Sequence, residues 1–155
     1  MADYEPFSEA RAAEVIAAHV GREGGALVTL QAIQAVFGYV PARAVAMTAE
    51  ALNLSRAEVF GTFSFYHDLR EAPAGRRVVK VCRAESCQAL GGEAAGRFLL
   101  ASLGLSEFGE TTADGAVTVE AVYCLGLCAV SPAALVDGAP MGRVDGMTLA
   151  EAARG

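Results

Sequence analysis

The run Val78-Val79-Lys80-Val81-Cys82 is a short stretch of β-branched residues that ends on a cysteine. Val117-Thr118-Val119-Glu120-Ala121-Val122-Tyr123-Cys124 has the same design. Both read as strands, because valines at this density fit a pleated, buried surface. Between them lie a loop, Gln88 to Gly92, and a helical stretch, Ala94 to Leu103. A strand, a helix and a second strand joined by a right-handed crossover make the two strands parallel. Downstream, Ala133 to Val136 and Met141 to Val144 flank Asp137-Gly138, a pair that favours the type I′ turn of a hairpin. Met147 to Ala153 closes the chain as a helix capped by Thr148 or its neighbour. The order β-α-β-β-α is the layout of a small thioredoxin-like domain.

Upstream of this region the apolar spacing is helical. Ser8 caps a first helix in which Val15, Ile16, His19 and Val20 recur, ending at Gly21. A second helix starts near Thr29, with Leu30, Ile33, Ala35 and Phe37 as its apolar set and Gly38 beyond its end. Pro41 suits the first turn of a third, which carries Val45 and Leu52 and stops near Asn53. Ser55 and Glu58 form the capping box of a fourth, followed by Val59, Phe60 and Phe63. Residues 71–77 are rich in turn formers and link the halves. The fold class expected is α+β: an N-terminal small helical bundle, residues 1–72, followed by a thioredoxin-like α/β domain, residues 73–155.

The composition excludes several function classes. With 12 basic against 18 acidic residues the net charge is −6, and no Lys/Arg cluster exceeds Arg76, Arg77 and Lys80. A nucleic-acid footprint is therefore missing. Asp3 and Glu5 stand where a signal peptide carries Lys or Arg, and no apolar stretch is long enough to span a membrane. The chain reads as cytoplasmic. Apolar residues make up 54% of it, which points either to a surface covered by a partner or simply to its wealth of alanine.

In a reducing compartment four cysteines point to metal or redox chemistry before disulfides. They fall as Cys82-x₄-Cys87 and Cys124-x₃-Cys128, with 36 residues between the pairs. Each pair follows a predicted strand, so neighbouring parallel strands would bring four sulfurs to one edge. Zinc sites usually contain a C-x₂-C arm, which is absent, as is the dithiol C-x-x-C. Neither common ferredoxin run is present. The spacing favours an iron–sulfur cluster over zinc and over free thiols, and leaves all three open. Four thiolates on two ferric irons and two sulfides carry a net charge of about −2, which calls for N–H donors around the site. The segment Arg83 to Gly92, entering a helix N-terminus, is placed to supply them. Gly126 allows the backbone to approach closely.

Beyond spacing, specific wording recurs. Leu30-Gln31-Ala32-Ile33-Gln34, Phe37-Gly38-Tyr39-Val40-Pro41, Val59-Phe60-Gly61-Thr62, Phe65-Tyr66, Val81-Cys82, Ser86-Cys87 and Tyr123-Cys124-Leu125-Gly126-Leu127-Cys128 resemble the thioredoxin-like [2Fe–2S] subunit family. That family includes the small iron–sulfur subunit of respiratory NADH:quinone oxidoreductase and the matching subunits of NAD-reducing hydrogenases. It also includes the gamma subunit of molybdenum-containing, NAD-dependent formate dehydrogenases. The resemblance, over about residues 25 to 150, implies one [2Fe–2S] cluster on Cys82, Cys87, Cys124 and Cys128. It further implies a non-catalytic electron-transfer subunit docked on a flavoprotein that carries FMN and binds NAD. The short N-terminus and Phe65-Tyr66-His67-Asp68-Leu69-Arg70 are most similar to the formate dehydrogenase type, which adds a larger molybdenum-containing catalytic subunit as partner. One departure stands out: the family commonly has Ala-Pro after the last cysteine, and here it is Ser131-Pro132. The ligands are untouched, but a hydrogen bond near the cluster, and with it the potential, is open to change.

Other candidates are weaker. His19 reads as a packed core group and His67 as a helix-end or partner contact. Phe60, Phe63, Phe65 and Tyr66 read as core or interface. Arg83 and Glu85 would push a nearby potential in opposite directions. No G-x-G-x-x-G after a strand, no phosphate loop and no nucleophile–base pair is present, so neither nucleotide binding nor bond-making chemistry is expected.

Overall fold

The structure is a computed structural model and describes residues 4–155, so the acidic Asp3 lies outside the described residues. The chain divides into two compact units, one reaching to Pro73 and the other running from Ala74 to Gly155.

Among its described residues the first unit holds four helices, α1 (Glu9–Ala17), α2 (Gly25–Phe37), α3 (Ala42–Leu52) and α4 (Arg56–Phe65). The Ser8 hydroxyl accepts from the Arg11 N–H and starts α1 as expected. That helix stops short at Ala17, so His19 and Val20 fall in the following turn. Val20 is exposed there, while the His19 ring Nδ1 sits 2.8 Å from the Val15 carbonyl. α2 begins at Gly25, ahead of Thr29, because residues 25–28 are themselves half-buried; Ala35 of its expected apolar set is exposed. Pro41 is the extended cap just outside α3, one residue earlier than its expected place in the first turn. The Ser55–Glu58 box closes in both directions at the start of α4. Val59 and Phe63 are buried, whereas Phe60, Phe65 and Tyr66 point to solvent. The core gathers Leu30, Ile33, Phe37, Val40, Ala44 and Val59, with Phe7 edge-on to Phe37 at 5.3 Å.

The second unit is built from β1 (Arg77–Cys82), α5 (Glu85–Ala89), α6 (Gly92–Ser102), β2 (Val117–Val122), β3 (Ala133–Val136), β4 (Ala139–Gly142) and α7 (Gly146–Arg154). The sheet order is β2-β1-β3-β4. β1 and β2 are parallel with Cys82 opposite Val122, and the other pairings are antiparallel. The hairpin turn has φ of 49° at Asp137 and 83° at Gly138, the two positive values that a type I′ turn requires. A two-residue turn leaves no slack, so β4 begins at Ala139 opposite Val136, earlier than Met141. Asp145 caps α7, with Thr148 answering from the third helical position. Val79, Val81, Leu99, Val119, Ala134 and Leu149 form the core.

Candidate metal centre

Parallel pairing sets the C-terminal ends of β1 and β2 on one edge of the sheet. Cys82 is the last residue of β1, and Cys124 lies two residues past its neighbour Val122. The Arg83 N–H donates to the Val122 carbonyl at 2.8 Å, which carries the ladder past Cys82. Cys87 rides on α5, where a plain loop was expected; the Gln88 N–H closes a turn on the Ala84 carbonyl at 3.0 Å. Cys124 adopts a left-handed φ of 80° and Gly126 one of 75°, so the chain doubles back towards Cys128, which opens the 3₁₀ turn Cys128–Val130.

The sulfurs come in two pairs of opposite character. Cys82 and Cys87 are buried, in a pocket with Ala133, Ala84, Val122, Leu125 and Leu127 around them. Cys124 and Cys128 are exposed, with their sulfurs 3.9 Å apart. Ligands of one tetrahedral metal at about 2.3 Å stand about 3.8 Å from each other, so this pair is spaced for one metal. Among the described residues no three His, Cys, Asp or Glu side chains gather as the ligands of a single ion would. Two and two is the division that a two-iron core asks for.

Electrostatics orders the thiols. Burial raises the Cys82 pKa, but this is outweighed by the Ala84 N–H, the Cys87 thiol and the N–H groups of Leu125 and Cys124, so the pKa ends below the usual thiol value. The Cys128 thiol is pushed up, first by the hydrogen bond and charge of Cys124, then by desolvation and by the charges of Cys87 and Cys82. An all-sulfur donor set with backbone N–H groups aimed into it fits an iron–sulfur cluster.

The remaining predicted contributors divide. Arg83 lies over the Phe108 ring at 4.9 Å, a contact its sequence neighbours do not announce. Glu85 is exposed in the first turn of α5. Both histidines belong to the first unit and all four cysteines to the second. The Ala84 N–H comes from the Arg83 to Gly92 segment expected to supply donors, whereas sequence reasoning missed those of Leu125 and Cys124, since a backbone donor leaves no mark in residue type. It also missed Ser86, whose Oγ stands 2.9 Å from that of Ser131; the unusual Ser131-Pro132 pair was the available signal.

The chain is similar to one of the subunits of the NADH-quinone oxidoreductase of Pseudomonas aeruginosa, at 34% identity over 108 residues, or 70% of this chain and 64% of that one. It is similar to the HndA subunit of the NADP-reducing hydrogenase of Solidesulfovibrio fructosivorans, at 28% identity over 79% of this chain and 71% of that one. Among solved structures it resembles an NAD⁺-reducing [NiFe]-hydrogenase in the air-oxidised state, with a TM-score of 0.67 and 28% identity over 84% of this chain and 23% of that chain. The chain thus spans a little under two thirds of the first relative and a smaller part of the hydrogenase chain. Residues 12–154 match one family along almost the whole chain, and by that match and this architecture the protein belongs to the thioredoxin-like [2Fe–2S] ferredoxin family.

Proposed function

We propose that this chain is an electron-transfer subunit in which Cys82, Cys87, Cys124 and Cys128 hold one [2Fe–2S] cluster. The observation that carries this reading is the pairing of four thiols at the adjacent ends of β1 and β2, with three backbone N–H groups turned towards Cys82. When bound, the cluster supplies reversible storage of one electron. The chain's own residues make and break no bonds. The buried Cys82 and Cys87 anchor the site in an apolar pocket that limits water, while Cys124 and Cys128 present its open side. Tyr123, 73% exposed beside Cys124, offers a partner an aromatic contact at that edge.

The partner is a flavoprotein subunit with FMN and an NAD site, and the setting is cytoplasmic. No helix among the described residues is long and apolar enough to cross a membrane. The relatives and the solved structure favour a complex of the NADH:quinone oxidoreductase or NAD(P)-reducing hydrogenase kind. The wording of residues 65–70 supports a second reading, an NAD-dependent formate dehydrogenase with a molybdenum-containing catalytic subunit. Metal analysis of the complex purified from its native source separates them: molybdenum favours the second reading, and its absence the first.

The chain purified without oxygen is expected to be red-brown, with about two irons and two sulfides and an EPR signal after dithionite. Cys124→Ser should remove or degrade that signal. A colourless protein with equimolar zinc overturns the reading in favour of a zinc module, and an unchanged signal in the variant overturns the ligand set.

A further inference from the structure

Ser131 is a buried polar residue at the wall of the cysteine pocket. Its Oγ donates to the Cys128 carbonyl at 3.0 Å and lies 2.9 Å from the Ser86 Oγ. It also accepts from the Cys87 thiol at 3.5 Å. The Ser86 hydroxyl reaches the same Cys128 carbonyl at 3.4 Å. Two hydroxyls therefore join the sulfur of the buried pair to the backbone of the exposed pair.

As a thiol, Cys87 donates to Ser131, and the single Ser131 proton goes to the Cys128 carbonyl. A metal-bound sulfur has no proton and only accepts. Two hydroxyl protons then face two acceptors, the Cys87 sulfur and the Cys128 carbonyl, and each hydroxyl is placed for one of them. We propose that Ser131 is a positioning residue that sets the reduction potential: its hydroxyl turns to the Cys87 sulfur in the metal-bound protein, while Ser86 holds the Cys128 carbonyl. The inference rests on the reading of the four cysteines as cluster ligands. A donor to a ligating sulfur favours the reduced, more negative state.

The test is a redox titration of the cluster-loaded full chain, followed by EPR. Ser131→Ala should disfavour reduction about tenfold, a potential lower by ~59 mV for one electron. Ser131→Thr, which keeps the hydroxyl, should return most of the shift. Ser86→Ala should move the potential the same way, because Ser131 must then serve the carbonyl, and should add little in a Ser131→Ala background. A Ser131→Ala protein with unchanged potential and EPR line shape overturns the proposal. So does one that folds but takes up no cluster, which would make Ser131 an assembly residue. If that variant does not fold, Ser86→Ala decides, and an unshifted potential there overturns the proposal as well. A wild-type chain without cluster sinks the ligand reading itself, and this inference with it, before any variant is compared.

Discussion

Gly92 has no room for a side chain: a Cβ built there would stand 2.7 Å from the Cys87 carbonyl oxygen and 3.3 Å from the Cys87 Cβ. Neither is the far end of a flexible chain, so Gly92→Ala must move the backbone that carries a buried cysteine. Reduced iron content per chain and faster cluster loss in air are expected, with the far-UV spectrum kept. Full iron retention would show that Cys87 tolerates the displacement. At this scale the sequence was legible in types and spacing, namely which residues are cysteines; Gly126, expected for a close backbone approach, takes a left-handed φ of 75°. It was silent on Gly92, because the close approach belongs to a turn of α5 that reads as loop. The left-handed φ of 80° at Cys124 was equally hidden, since a residue with a Cβ rarely adopts it.

Elements whose boundaries are written in side-chain chemistry came out where the residues put them. The Ser55–Glu58 box and the Asp137-Gly138 turn are such cases, each closed by bonds over a few residues. α2 and α5 were misjudged for a different reason. α2 starts on glycine with no side-chain cap, and α5 is a five-residue helix too short for a periodicity to show. α7 provides the prediction proper to this scale. The Thr148 N–H, and then its hydroxyl, hold the Asp145 carboxyl below the ordinary Asp range, so folding favours the ionised form. Its contribution is fully present above the unfolded value of about 3.9 and is lost as pH falls through the lower folded value. Asp145→Ala should therefore lower the melting temperature at neutral pH, with a gap to wild type that narrows on acidification. Melting curves measured from about pH 6 to about pH 2 check this, and a gap that widened would reverse the sign.

At the scale of the whole molecule, all four cysteines lie in the second unit, while Phe37 belongs to the core of the first. Phe37→Ala should cost the first unit about 3–5 kcal/mol and leave cluster content and EPR line shape unchanged in the folded protein. Calorimetry beside EPR checks it; cluster loss that tracked the weakened core would show that the second unit does not hold its site unaided. The α+β class, the strand–helix–strand order and the cysteine spacing were determined by the sequence alone, because each element shows in a periodicity over a few residues and the cysteine positions are simply counted along the chain. Only the tertiary structure decided that the cysteines divide into a buried and an exposed pair. It likewise decided that Ala84, Leu125 and Cys124 turn their N–H groups on Cys82, and that Ser131 meets Cys87 across 44 residues. Ala84 is a local donor, but Leu125 and Cys124 reach Cys82 because β2 lies beside β1, and Ser131 reaches Cys87 because β3 lies on the other side of β1; which loops those pairings bring together is a property of the packed sheet.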